Sequence, residues 1–295
     1  HLSLRRQRQM CIRDSSKPLY SFPLENIQAP IHRGWALQSL GTLGGGNHFI
    51  EVNEGSDGFY LVIRSGSRVL GKEIAEYHQE IAYQKLTQMR QDLKLQAKAA
   101  NEPDEKADLI QQREEIKIPY DLSYVSDQDL ENYLSDMQIA QQYAVFNRQS
   151  MAQTILKAMK WEKQVIESFD SPHNYIDLKH MILRKGADSA RKNEKMIVPL
   201  NMKDGSIIGV GKGNDEWNQS GPHGAGRTMS RSQARASIRL ENYQHMMRHV
   251  WTTSVSKKTL NEAPKAYKSK KQILTDLHET MEVKEIIRPL YNFKG

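Results

Sequence analysis

The feature that most constrains this chain is a change of hydrophobic period. Ile74, Tyr77, Ile81, Ala82, Leu86, Met89 and Leu93 recur at spacings close to three and four, the signature of one face of an α-helix. The stretch "NEPDEKAD" (101–108) interrupts the pattern through Pro103 and dense charge. A second helical stretch is expected over about 127–168, opened by "SDQDLENYL" with Ser126 as a plausible N-cap. Either side of this block the pattern is different. "FIEV" and "FYLVIRS" are short β-type runs separated by the turn signal "NEGSDG", and "MIVPLNM" and "SIIGVGKGN" read as a hairpin around "KDG". Residues 72–168 are therefore expected to be a helical excursion from a β-rich core, with alternating charges on a solvated face. Residues 230–251 read as a further helix after a glycine-rich loop.

At 295 residues the chain is long enough for one large domain or two ordinary ones. No run of eighteen apolar residues is present, so no transmembrane helix and no membrane partner are expected. The formal charge of +7 suits a polyanionic partner. The single cysteine, Cys11, excludes an intrachain disulfide and makes a reducing, cytoplasmic setting the default. The arginine-rich opening "HLSLRRQRQMCIRDS" does not read like the rest. It looks like translated adapter sequence, so residues 1–15 are expected to be a non-native leader and the natural protein to begin further upstream. A basic nucleic-acid-binding arm is the alternative.

Three histidines stand in turns or at the edges of elements: His48 after "GGGN", His173 in "SPHNY" and His223 in "SGPHGAGRTMSR". The glycines of "GTLGGGNHFIEV" permit either a tight turn into a strand or close backbone approach to a phosphate. Imidazole serves as a metal ligand or as a nucleophile. His223 is the most suggestive, because Gly224 and Gly226 leave its ring open, while Arg227 and Arg231 suit a phosphate and lie four residues apart. His78, His180, His245, His249 and His278 read as structural. "GVGKGN" (209–214) fits neither a Walker A loop nor a dinucleotide fingerprint, and a plain turn is the simpler reading.

Taken together, "SLGTLGGGNHFIEV", "SGSRVLG", "HNYIDLKHMILRKGA", "PHGAGRTMSRSQA", "EAPKAYK" and the terminal "KG" resemble the RtcB-type RNA ligase family, from about residue 36 to the end. The resemblance implies an α+β fold, a core of mixed β-sheets with surrounding helices, and a single catalytic domain over 16–295 that lacks its N-terminal part. It implies GTP- and manganese-dependent joining of RNA ends (tRNA halves or broken RNA), one carrying a 2′,3′-cyclic phosphate or 3′-phosphate and the other a 5′-hydroxyl. By resemblance, His223 is the nucleophile that takes GMP, and His48 and His173 match metal ligands. The nucleotide site would comprise Asn47, His48, Phe49, Ile50, Glu51, His173, Asn174, Pro199, Leu200, Asn201, Met202, Ser206, His223, Gly224, Ala225, Gly226 and Lys294. Arg227 and Arg231 would face phosphate or RNA.

The chain also departs from the family pattern. The upstream "D-x-x-C" motif that completes the metal site is absent, and Arg64 stands where a metal-binding histidine should precede "SGSR". Arginine does not ligate metals under ordinary conditions, so at most one metal ion is expected. "PLNMK" replaces a "PGSMG" type loop. Two readings follow: a GTP-dependent RNA ligase, or a non-catalytic RNA- or nucleotide-binding relative, the second favoured by Arg64.

Overall fold

The computed structural model of the chain describes residues 23–295. The leader and Cys11 lie outside them. By contact the chain groups into two compact units, one joining the residues up to Leu40 with Ser67–Ala144, the other joining Gly41–Gly66 with Val145–Gly295.

The first unit is helical. It contains α1 (Arg33–Ser39), α2 (Arg68–Ala99), α3 (Pro103–Glu115) and the first half of α4 (Asp127–Met159). Pro103 breaks the helical pattern and also restarts it. It occupies the first turn of α3, where its missing N–H is not needed, and Asp104 and Glu105 beside it complement the positive helix end. Helix α3 buries no residue, as its continuous charge requires. The apolar face of α2 instead buries Leu70 and Ile74 against Leu24, Ala29, Ala36, Ile139 and Tyr143. Asp136, fully buried on α4, accepts hydrogen bonds from the backbone N–H groups of Gln28 (2.8 Å) and Ala29 (3.0 Å) and pairs with His78 Nε2 (2.9 Å). One carboxylate thus ties the segment before α1 to two helices 58 positions apart.

The second unit is built on a sheet of order β2-β1-β10-β7-β6, with β9 paired to β10. Its strands are β1 (Phe49–Glu54), β2 (Phe59–Arg64), β6 (Lys195–Asn201), β7 (Gly205–Gly211), β9 (Trp251–Thr252) and β10 (Met281–Lys294). Two small pairs accompany it: β3 (Asn174–Asp177) with β4 (Ile182–Lys185), and β5 (Ala187–Ser189) with β8 (Ser220–Pro222). Every pairing is antiparallel except β9 with β10. The fold is α+β. The hairpin expected around "KDG" is β6–β7, turned by Asn201, whose side-chain oxygen accepts from the N–H groups of Lys203 and Asp204. "GVGKGN" is the end of β7 and the turn after it. Asn214 caps that turn and Lys212 is tied to the carbonyl of His278.

The helix expected over 230–251 is two short ones, α5 (Arg231–Ser237) and α6 (Leu240–Met246). Ser230 closes a capping box with Gln233, so the start agrees with local sequence. The break at Ile238 has no glycine or proline to announce it. Ile238 takes an extended conformation and is buried with Met202, Tyr243, Met247 and Ala266. Packing overrides helix propensity there. Helix α7 (Lys270–Asp276) buries Ile273 against Val198, Ile207 and Met281 of the sheet.

Candidate functional site

Strand register builds one wall of a cleft in the second unit. Phe49 lies opposite Arg64 of β2 and Lys294 of β10, and two residues on, Glu51 lies opposite Asn292. Directly opposed residues of antiparallel strands share a face, so Arg64, Phe49, Lys294 and Glu51 point the same way. Lys294 Nζ sits 5.6 Å above the Phe49 ring. Ile50 alternates to the other face, as strand geometry demands. The remaining lining comes from Asn47, the β6–β7 hairpin (Pro199, Leu200, Asn201, Met202, Gly205), the turn His223–Arg227, Arg231, Glu262 and Tyr267. The cleft encloses about 730 Å3 of non-protein space, its open mouth included.

The glycine-rich loop is an anchored structure. Fully buried Asn147 accepts from the N–H of Thr42 and donates to Ser65 Oγ (2.9 Å) and the carbonyl of Gly66 (3.0 Å). Ser65 Oγ and the His48 ring both donate to the carbonyl of Leu43, each at 2.8 Å. Gly295 lies so close to the Gly44 carbonyl that a Cβ there would stand 1.6 Å from its oxygen. Glycine at the end of β10 therefore lets Lys294 enter the cleft beside the loop.

His173 and His223, far apart in sequence, stack with ring centroids 5.0 Å apart and 15° between planes. The His223 ring rests on Gly186. Gly186 has φ +66°, and a Cβ on it would lie 3.2 Å from the ring. Its N–H donates to Asn174 Oδ1 at 2.7 Å. Asn174 thus fixes the turn on which His223 lies. Arg64 Nη2 approaches His173 Nε2 at 3.1 Å and donates to it. Burial, then the adjacent Arg64, push His173 down to about 3, and the same two causes hold His223 below the ordinary histidine value. Both rings are neutral at physiological pH.

The opposite end of the cleft is an ion-pair network. Glu262 accepts from Lys294 Nζ (2.8 Å), Tyr267 Oη (2.6 Å) and Asn261 Nδ2 (2.8 Å). Burial, the largest single influence, would raise its carboxyl; Lys294, Tyr267 and Arg227 together hold it below the usual value. Arg227 spends three of its five N–H donors on the protein: it donates to the carbonyls of Met229 and Asn261 and to Tyr267 Oη. Arg231 is exposed at the rim. Glu51 is buried with amides hydrogen-bonded to its carboxyl, and burial raises it to about 7 against the hydrogen bonds of Asn292 and Asn53 and the charge of Lys294.

Asn47, Phe49, Glu51, Pro199–Met202, His223–Arg227, Arg231 and Lys294 line one cleft. His48, Ile50, His173, Asn174 and Ser206 are not in its wall; His173 and Asn174 act on it through His223 and Gly186. Ser206 is fully buried, its hydroxyl unpartnered. Glu262 and Tyr267 carry no role in the sequence reading, although "EAPKAYK" contains both. Gly186 had a weak signal in "RKGA".

The described residues do not fit a manganese ion. None of them form a group of three or more His, Cys, Asp or Glu able to hold a metal. Arg64 takes the Nε2 position of His173, and the His48 Nδ1 is engaged with Leu43. Among the described residues no helix is long and apolar enough to cross a membrane.

The RNA-splicing ligase RtcB of Escherichia coli K12 is 28% identical over 274 residues, covering 87% of this chain and 61% of that protein. RtcB1 of another Escherichia coli strain is 30% identical with coverage of 87% and 61%. The tRNA-splicing ligase RtcB of Nanoarchaeum equitans is 27% identical over 313 residues, with 87% and 60%. The chain thus spans 60–61% of the length of these curated relatives. The pattern of the family described as tRNA-splicing ligase RtcB runs through residues 24–295, and with the cleft just described inside that span the chain belongs to this family.

Proposed function

We propose that this chain carries the nucleotide-transfer half of an RNA ligase, in which His223 takes GMP from GTP and passes it to an RNA 3′-phosphate. The observation that carries the reading is the His223 ring itself. It lines the cleft against Gly186, and burial and Arg64 hold it below the ordinary histidine value, so it is neutral and one ring nitrogen carries a lone pair. The lone pair of that nitrogen attacks the α-phosphorus of GTP. An N–P bond forms, the bond to the bridging oxygen breaks, and pyrophosphate leaves. The ring keeps its N–H and is cationic while it carries the nucleotide. An oxygen of the RNA 3′-phosphate then displaces it, making an anhydride; a cyclic end has first to be opened by water. The 5′-hydroxyl attacks the RNA phosphorus, loses its proton, and GMP departs.

At the other end, Lys294 Nζ and Glu262 Oε2 lie 2.8 Å apart and offer a donor beside an acceptor. Guanine presents the complement, its O6 beside N1–H. The relatives named as RNA-splicing and tRNA-splicing ligases support RNA as the second substrate, and the formal charge of +7 agrees with it. A second reading, nucleotide or RNA binding without turnover, is favoured by Arg64 at His173. The two separate in one experiment. Incubated with α-labelled GTP, the chain acquires label that acid removes, as a phosphoramidate requires, and His223→Ala acquires none. Label that survives His223→Ala identifies another nucleophile; no label on a folded chain that still binds GTP selects the second reading.

A further inference from the structure

The cations of the cleft are not equivalent. Lys294 and Arg227 both have Glu262, at 2.8 Å and 3.6 Å. Among the described residues Arg64 has no carboxylate within ion-pair distance, and its one hydrogen bond is to a neutral imidazole, His173. Asp188, the nearest acid behind it in electrostatic effect, spends one oxygen on the Ser171 hydroxyl. A half-buried guanidinium whose acids, Asp188 and Glu262, act on it only from beyond ion-pair distance is better stabilised when an anion contacts it. Arg64 spends one of its five N–H donors on His173, and it opens on the same cleft as His223. A guanidinium fork matches two oxygens of one phosphate. The contact with His173 also has a direction. It occupies the lone pair through which that imidazole would hold a metal, so one nitrogen serves either the arginine or a cation, never both.

We propose that Arg64 is a built-in cation that replaces a divalent metal at the His173–His223 pair and grips the phosphates of a nucleoside triphosphate directly, making nucleotide binding by this chain independent of metal. The inference rests on the nucleotide reading of the cleft. Equilibrium dialysis of the 295-residue chain with GTP tests it, once in excess EDTA and once with manganese. The affinity stays within about twofold between the two conditions. In EDTA, Arg64→Ala weakens binding by about tenfold or more, the loss of one charge-assisted pair of hydrogen bonds, and Arg64→Lys, which keeps charge without the fork, falls between. Arg64→His frees the His173 lone pair and restores a third imidazole, so its binding is lost in EDTA and returns with manganese. Circular dichroism confirms that each variant is folded, and Arg64→Lys stands in should Arg64→Ala fail to fold. Wild-type binding that needs manganese, or a folded Arg64→Ala that binds in EDTA as well as wild type, overturns the role of Arg64 and leaves the nucleotide reading intact. GTP bound in neither condition overturns that reading and this inference with it.

Discussion

Two histidines, one in each unit, show how the same side chain becomes architecture or chemistry. His78 in the helical unit faces Asp136, whose oxygens also accept two backbone N–H groups. Every donor there meets an acceptor inside the protein, and nothing is left over for a ligand. His173 in the β-rich unit faces a guanidinium and another imidazole instead. The one charge there, on Arg64, has no carboxylate within ion-pair distance among the described residues. A buried polar cluster that is complete in itself holds a fold together, whereas one that is incomplete in sign defines what it binds.

The comparison breaks most visibly at Asp136. Asp136→Ala removes the shared acceptor and strands His78 and two backbone donors, a loss of about 3–5 kcal/mol, read as a lowered urea midpoint. Arg64→Met, by contrast, removes a charge that has no carboxylate within ion-pair distance among the described residues, and its midpoint stays within about 1 kcal/mol of wild type or rises. Equal losses in both would erase the distinction between the two clusters.

Glu51 sharpens it, as a buried carboxyl hydrogen-bonded to amides. Its value is raised from 4.5 to about 7, so the folded chain holds a proton there that the unfolded chain releases. The stabilising contribution is complete below pH 4.5 and is lost as pH rises through about 7. Glu51→Gln cannot ionise. Between pH 4.5 and 8 its urea stability falls less steeply than that of wild type, by a difference on the order of 3 kcal/mol. Parallel pH profiles would place Glu51 in ordinary solvation.

Much of this cleft is legible in the sequence because its parts are local. "GGGNHFIEV" announces a turn running into a strand, and "HGAGR" an open histidine. What is not legible is set by pairing at long range. Nothing near Arg64 says that it will meet His173, 109 positions away, nor that β1 will bring Arg64 and Lys294 to either side of Phe49. The family pattern marked Arg64 as out of place; only the register shows what it touches. Periodicity announces α2, and a second helix is expected over about 127–168, but α4 stops at Met159 and α3 begins at the Pro103 read as a break; the grouping of 67–144 with the residues up to Leu40 depends on Asp136, which is one acid among many until it is seen buried. Arg227 shows what local reading leaves out. Its place beside His223 suggests a phosphate, and the fold also commits three of its N–H donors to Met229, Asn261 and Tyr267.

A smaller loss of stability than at Asp136 is expected at Gly186. Gly186→Ala puts a Cβ against the His223 ring at a positive φ, which costs about 1–2 kcal/mol. Its larger consequence is on the ring. GMP labelling slows more than GTP affinity falls, because Gly186 positions the nucleophile without touching the nucleotide. A variant that loses affinity and labelling in equal proportion would mean that Gly186 shapes the pocket instead.

The most direct measurement is a crystal structure of the chain grown with GTP and EDTA. A phosphate oxygen within hydrogen-bond distance of the Arg64 guanidinium, the α-phosphorus facing the His223 ring, and the guanine at Lys294 and Glu262 is the predicted result. GTP bound with its phosphates away from Arg64, or bound only outside this cleft, would contradict the account.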